Sequence, residues 1–115
     1  MRQVGVITDQ VIKILKLNAA QNTPIYLSET NIAHMESKHE SDYRMYGGSI
    51  EDIIESPTYV GYKKGSIEYI KEMSEYVKVA VRVSFDGTYY ARTLYTMNTE
   101  KVENMVAKGT LFPLT

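Results

Sequence analysis

The 115-residue chain contains no cysteine. That excludes disulfide frameworks, thiolate zinc sites and cysteine nucleophiles together, and it fits a reducing cytoplasm, the expected location. Proline occurs three times and glycine seven, too rarely for a collagen-like or low-complexity chain, so an ordinary globular composition remains. No apolar run approaches the roughly 18 residues needed to cross a bilayer. The opening MRQVGVITDQ lacks the apolar stretch and small-residue cleavage site of a secretory signal. No membrane association is expected. Excess charge of one sign is missing too: the net charge is -1, which does not mark a nucleic-acid binder by bulk electrostatics. A site that grips one or two phosphates needs only a local cluster, so this excludes a broad basic surface and little else. The length suits one domain over residues 1–115.

Both histidines of the chain, His34 and His39, fall in one stretch, Ile32 to Tyr43, which reads IAHMESKHESDY. Histidine is the side chain that titrates nearest neutrality, so proton transfer is sought here first. Ser28 is placed to cap a helix through this stretch. On a helical wheel Ile32 and Met35 share a face with His39 close behind, while Asn31, His34 and Lys38 form a more polar strip. Five residues separate the histidines, which turns them about 140° apart on a helix. A helical metal pair needs ligands three or four residues apart on one face. No metal and no cofactor are expected.

Around this stretch, Gln3 to Ile7 reads as a short strand weakened by Gly5, and Thr8 or Asp9 caps a helix carrying Val11, Ile12 and Leu15. Ile25 to Leu27 is a brief apolar run. Glu40 to Gly48 reads as a polar loop with two tyrosines and an arginine. Ser49 to Asp52 resembles a capping box for a short helix carrying Ile50, Ile53 and Ile54, ended by Pro57. From Thr58 the pattern turns to strands: Thr58 to Tyr62 and Ser66 to Met73 flank a turn at Lys63-Lys64-Gly65. Tyr76 to Phe85 alternates for ten residues, and Asp86-Gly87 suits a two-residue type I′ loop before Tyr89 to Met97 returns. Asn98 caps a last helix carrying Val102, Met105 and Val106 and closed by Gly109. The fold expected is α+β: N-terminal helices followed by a four-stranded antiparallel sheet, with a C-terminal helix.

A two-residue loop pairs Phe85 with Thr88 and puts Val77, Val79, Val81 and Val83 on one face. Burying each valine is worth roughly 1.5 kcal/mol or more, so that face is core. Lys78, Arg82, Thr93 and Tyr95 then share the opposite face. Arg82 beside two hydroxyls makes a phosphate cradle, because guanidinium offers planar donors matched to phosphate oxygens. Arg92 falls on the apolar face in this register, but a single β-bulge would turn it round. The bland alternative is an ordinary solvated sheet face. Ten tyrosines and no tryptophan offer either packing or faces for base stacking.

The segment IAHMESKHESDYRMYGGSIEDIIESPTYVG, followed by EYIKE and ARTLY, resembles the phage-associated nuclease families of the barnase/EndoU/colicin/RelE superfamily. Their pattern is a helix ending in a basic residue and His, an acidic-tyrosine loop, a short helix closed by Pro, and a last strand with Arg-Thr-x-Tyr. The likeness runs from about Gly5 to Met105. Where the pattern has a proline after the helix-ending histidine, this chain has Glu40. The resemblance implies a barnase/RelE-like fold and metal-independent endoribonuclease action, by 2′-hydroxyl attack to a 2′,3′-cyclic phosphate. It implies roles for Lys38, His39, Tyr43, Arg92, Thr93 and Tyr95, and says less about His34 and Arg82.

The expected catalytic set is His39, His34, Arg92, Thr93 and Tyr95, with Lys38, Tyr43, Lys78 and Arg82 binding RNA. RNA is the expected partner, with tRNA, mRNA and ribosomal RNA left open, and an inhibitor protein is a further candidate partner. The competing expectation is a catalytically silent nucleic-acid- or protein-binding domain on the same scaffold, such as a phage accessory protein. A toxin module is a third. Oligomeric state is open.

Overall fold

The computed structural model describes residues 1–114. The elements run β1 (Arg2–Ile7), α1 (Asp9–Leu15), β2 (Thr23–Leu27), α2 (Glu29–Lys38), α3 (Glu40–Tyr46), α4 (Ile50–Glu55), β3 (Tyr59–Lys63), β4 (Ser66–Glu72), β5 (Tyr76–Val83), β6 (Tyr89–Met97), α5 (Thr99–Ala107) and β7 (Phe112–Pro113). The strands form one sheet in the order β1-β2-β6-β5-β4-β3-β7. Every pairing is antiparallel except β2 against β6. The α+β class stands, but the four-stranded antiparallel sheet behind N-terminal helices is corrected to a seven-stranded mixed sheet with α2, α3 and α4 in the middle of the chain. The four expected strands are only its centre. β1 matches the short strand read over Gln3 to Ile7, while β2 spans five residues and β7 two, so neither of these shows a clear alternation. Each is held in the sheet by partners distant in sequence, which local patterning does not reveal.

Three of the four expected capping residues, Thr8, Ser28 and Asn98, act where expected. The Thr8 hydroxyl accepts from Val11 N at 3.2 Å, and Asn98 Oδ1 accepts from Glu100 N at 2.8 Å. Ser28 and Asn31 form a reciprocal capping box at the start of α2, with Asn31 N donating to Ser28 Oγ and Ser28 N to Asn31 Oδ1. Ser49 makes no side-chain cap; it ends a single 3-10 turn, Gly47–Ser49, that leads into α4. The expected loop from Glu40 to Gly48 is largely the helix α3, corrected because its polar sequence buries only Tyr46 and so lacks an apolar stripe.

Val77, Val79 and Val81 are fully buried, together with Leu94 and Ala91 of β6, against Met35 of α2 and the three isoleucines of α4. Val83 is 42% exposed and lies beyond this core. The opposite face is not simply solvated. α5 covers its β3–β4 side through a second cluster of Ile70, Met97, Val102 and Leu111. The remainder of that face is open and is bounded by α2.

The β5–β6 register agrees with expectation from Met97 back to Thr93, which pairs with Ala80. It then shifts by one, because Val81 pairs with Ala91 and Arg92 is left as the extra residue of a β-bulge. The connection is a three-residue loop, Phe85 to Gly87, closed by Gly87 N donating to Ser84 O and Ser84 N to Thr88 O. Gly87 takes a positive φ there. The type I′ pattern of two consecutive positive-φ residues occurs instead at Lys64-Gly65.

Candidate active site

The parallel pairing of β2 with β6 sets the site's geometry. Ile25 lies opposite Tyr89 and Tyr26 opposite Tyr90. The chain then leaves the sheet through the Ser28 cap, and α2 continues beside β6. Met35 anchors the helix in the core at 0% exposure. The helix strip identified as polar, Asn31 and His34, consequently faces the open side of the sheet.

Asn31, His34, Ser66, Arg82, Arg92 and Thr93 line one cleft of about 280 Å³. The bulge is what brings Arg92 and Thr93 there together: consecutive residues of a regular strand face opposite ways, and an extra residue removes that alternation. Arg82 arrives from β5, opposite Ser66 of β4. Its guanidinium also donates to the Lys64 carbonyl in the β3–β4 turn, which restricts its position. Two guanidinium groups, an imidazole, the Asn31 amide and three hydroxyls (Thr30, Ser66 and Thr93) therefore surround one space, with no carboxylate in its lining. Such a lining suits a phosphate, which accepts charge-assisted hydrogen bonds from planar donors.

His39 and Tyr95 lie farther along the same two elements. His39 ends α2 with φ −141° and ψ 58°, its N–H donating to Met35 O at 2.9 Å, and it begins α3. Its imidazole packs on the Tyr95 ring, centroids 5.1 Å apart and planes 30° from parallel. One turn later Asp42 of α3 accepts from the Thr96 N–H at 3.1 Å and from its hydroxyl at 3.3 Å. The α2–α3 segment is thus tied to β6 step by step.

Lys78 supports this stack from below. It lies opposite Tyr95 across the ladder, with its Nζ 4.7 Å from the Tyr95 ring centroid. The same ammonium donates to Glu68 Oε2 at 2.6 Å, and both side chains are almost entirely buried. Burial pulls the Lys78 pKa down, but the hydrogen bond to Glu68 and the contacts with Tyr95 outweigh it, so the group titrates above its ordinary 10.5. Lys78 remains a fixed cation beneath Tyr95.

The other expected residues are placed differently. Lys38 is exposed at the end of α2. Tyr43 packs against the main core and closes over Gly47, outside the cleft lining. Sequence reading passed over Glu68, Ser66 and Asn31. Glu68 carried a weak signal: it is an acid set between the apolar Ile67 and Tyr69 of β4, and a charge buried there requires a partner. Asn31 was noticed on the polar strip but given no role.

Among the described residues no group of three His, Asp or Glu side chains is arranged to hold a metal ion, and no helix is long and apolar enough to cross a membrane. Comparison with curated proteins and with solved structures finds no match. Comparison with protein families matches residues 2–104. The chain belongs to the family described as phage-Barnase-EndoU-ColicinE5/D-RelE like nuclease 3.

Proposed function

We propose that this protein is a metal-independent endoribonuclease that cleaves RNA by attack of a 2′-hydroxyl on the adjacent phosphate. The observation that carries the reading is the cleft in which the bulged pair Arg92 and Thr93 meets Arg82 and His34. In the reaction the 2′-oxygen–phosphorus bond forms and the phosphorus–5′-oxygen bond breaks. The products are a 2′,3′-cyclic phosphate and a free 5′-hydroxyl. One proton must leave the 2′-hydroxyl and one must reach the 5′-oxygen, and negative charge on the phosphoryl oxygens must be stabilised. His39 and His34 are the proton-transfer pair. Arg92 and Arg82 hold the phosphate, Thr93 donates a hydrogen bond, and Tyr95 holds His39 in place by stacking.

The charge of the lining supports the metal-independent reading, since guanidinium groups supply the positive charge that carboxylate-held ions supply elsewhere. A cysteine-free chain suits the reducing cytoplasm, where RNA is met. The test is incubation of the purified protein with total RNA in EDTA, beside the His39→Ala and His34→Ala variants. Cleavage that survives EDTA, leaves cyclic phosphate ends and is lost in the variants is expected. No cleavage of total RNA or of defined tRNAs across about pH 5 to 8 would leave a binding domain on this scaffold.

A further inference from the structure

On the other side of Glu68 lies a second groove, of about 450 Å³, between β3 and α5. Lys63, Lys101, Asn104 and Lys108 line it, Tyr62 stands at its rim at 54% exposure, and Glu68 lies in its floor. The Glu68 charge is already neutralised by Lys78. The three lysines are uncommitted: among the described residues the ion pairs join Arg2 to Glu51, Lys13 to Asp9, Arg44 to Glu40, Lys71 to Asp52 and Lys78 to Glu68. The groove thus holds three free ammonium groups and no free carboxylate.

This groove adjoins the cleft on the same sheet face. Lys63 pairs with Ser66, and Ser66 pairs with Arg82, so one row across three strands passes from a groove lysine to a cleft arginine. The next row passes from Gly61 through Glu68 and Ala80 to Thr93. α2 lines the cleft and α5 lines the groove, and these strand rows run from one cavity to the other.

We infer that the groove is a binding track for single-stranded nucleic acid, holding nucleotides that extend from the phosphate in the cleft. Spaced cations without a free acid are what a flexible polyanion needs, without sequence readout. Tyr62, which pairs with Ile67 and so alternates to the opposite face, reaches the groove only at its edge. The inference rests on the nuclease reading for what fills the cleft, but the groove is testable by binding alone.

The probe is a fluorescent single-stranded oligothymidylate of ~12 nucleotides, which carries the phosphates of RNA but no 2′-hydroxyl nucleophile and so survives the proposed reaction. Its affinity is measured against NaCl concentration for the native protein and for Lys63→Gln/Lys101→Gln/Lys108→Gln, with circular dichroism melts of both. At about 0.7 per phosphate contact on a single strand, three lost contacts make the log–log salt slope shallower by about 2, with binding roughly tenfold weaker at low salt. A native protein that does not bind the oligonucleotide overturns the inference. So does an unchanged slope in the folded variant, or a change no larger than that caused by removing Arg2 and Lys13 elsewhere. Binding with the expected slope change but no RNA cleavage sustains the groove and defeats the ribonuclease reading. Cleavage without the slope change does the reverse.

Discussion

Lys78 Nζ lies 2.6 Å from Glu68 Oε2 on the face of the sheet that carries the candidate site, in a pair whose side chains are 10% and 5% exposed. Removing one partner strands the other charge away from water. Glu68→Gln and Lys78→Met should each lower stability by about 3–5 kcal/mol in urea denaturation at neutral pH. The double variant should recover part of that loss, because it strands no charge. The pH dependence has a definite sign. The folded pKa of Lys78 is raised above 10.5, so its contribution is fully present below that value and is lost as pH rises through the folded pKa. The native protein should therefore lose more stability than Lys78→Met as pH rises above about 10.5. Parallel curves for the two proteins would contradict this account.

His39 joins two helices through its backbone but presents its ring to Tyr95. His39→Ala should lower RNA cleavage at least about 100-fold, while the melting temperature changes little. If two histidines divide the proton transfers, the native pH–rate profile is bell-shaped and each single variant loses one limb of it. An intact bell in His39→Ala would assign the proton transfer elsewhere. Tyr95→Phe keeps the stacking ring and should retain far more activity than Tyr95→Ala.

Arg92 is the extra residue of the bulge, since Ala91 pairs with Val81 and Thr93 with Ala80. Deleting Arg92 should give a regular hairpin, leaving the pairs on either side intact and the protein folded by circular dichroism. Cleavage should fall by about 100-fold or more, the scale of losing a preorganised charge on the phosphoryl oxygens. Arg92→Lys keeps the charge but loses the planar fork, so its activity should lie between the two. Full activity in the deletion variant would remove Arg92 from the mechanism.

Gly61 is needed for close approach rather than for a special backbone angle. A Cβ there would stand 2.7 Å from the Thr110 carbonyl and 2.8 Å from Leu111 Cδ2. Gly61→Ala should cost about 1–3 kcal/mol by overpacking where β3 meets the chain after α5. Gly48→Ala, where a Cβ meets nothing within 4 Å, should change stability by less than about 0.5 kcal/mol. Equal losses in both would refute the steric explanation.

The legible parts of this protein are those whose causes lie within a few residues. Ser28, Thr8 and Asn98 cap their helices because a side-chain oxygen reaches an amide two or three residues on. The buried valines of β5 declare their face by strict alternation. The helix α3 was not legible, because a polar segment with one buried residue has no stripe to display. Glu68 was overlooked as a site residue because its partner Lys78 comes from the neighbouring strand.

By itself the sequence determined the α+β class, the caps at Thr8, Ser28 and Asn98, the β5–β6 hairpin and the residue types that a phosphate-binding site would need. Only the tertiary structure decided that β2 lies parallel to β6, which sends α2 alongside that strand and brings His34 and His39 over it. It also decided that β6 is bulged, which sets Arg92 beside Thr93. Both choices depend on pairings between distant segments, where the free energy comes from packing and ladder bonds that no local propensity encodes.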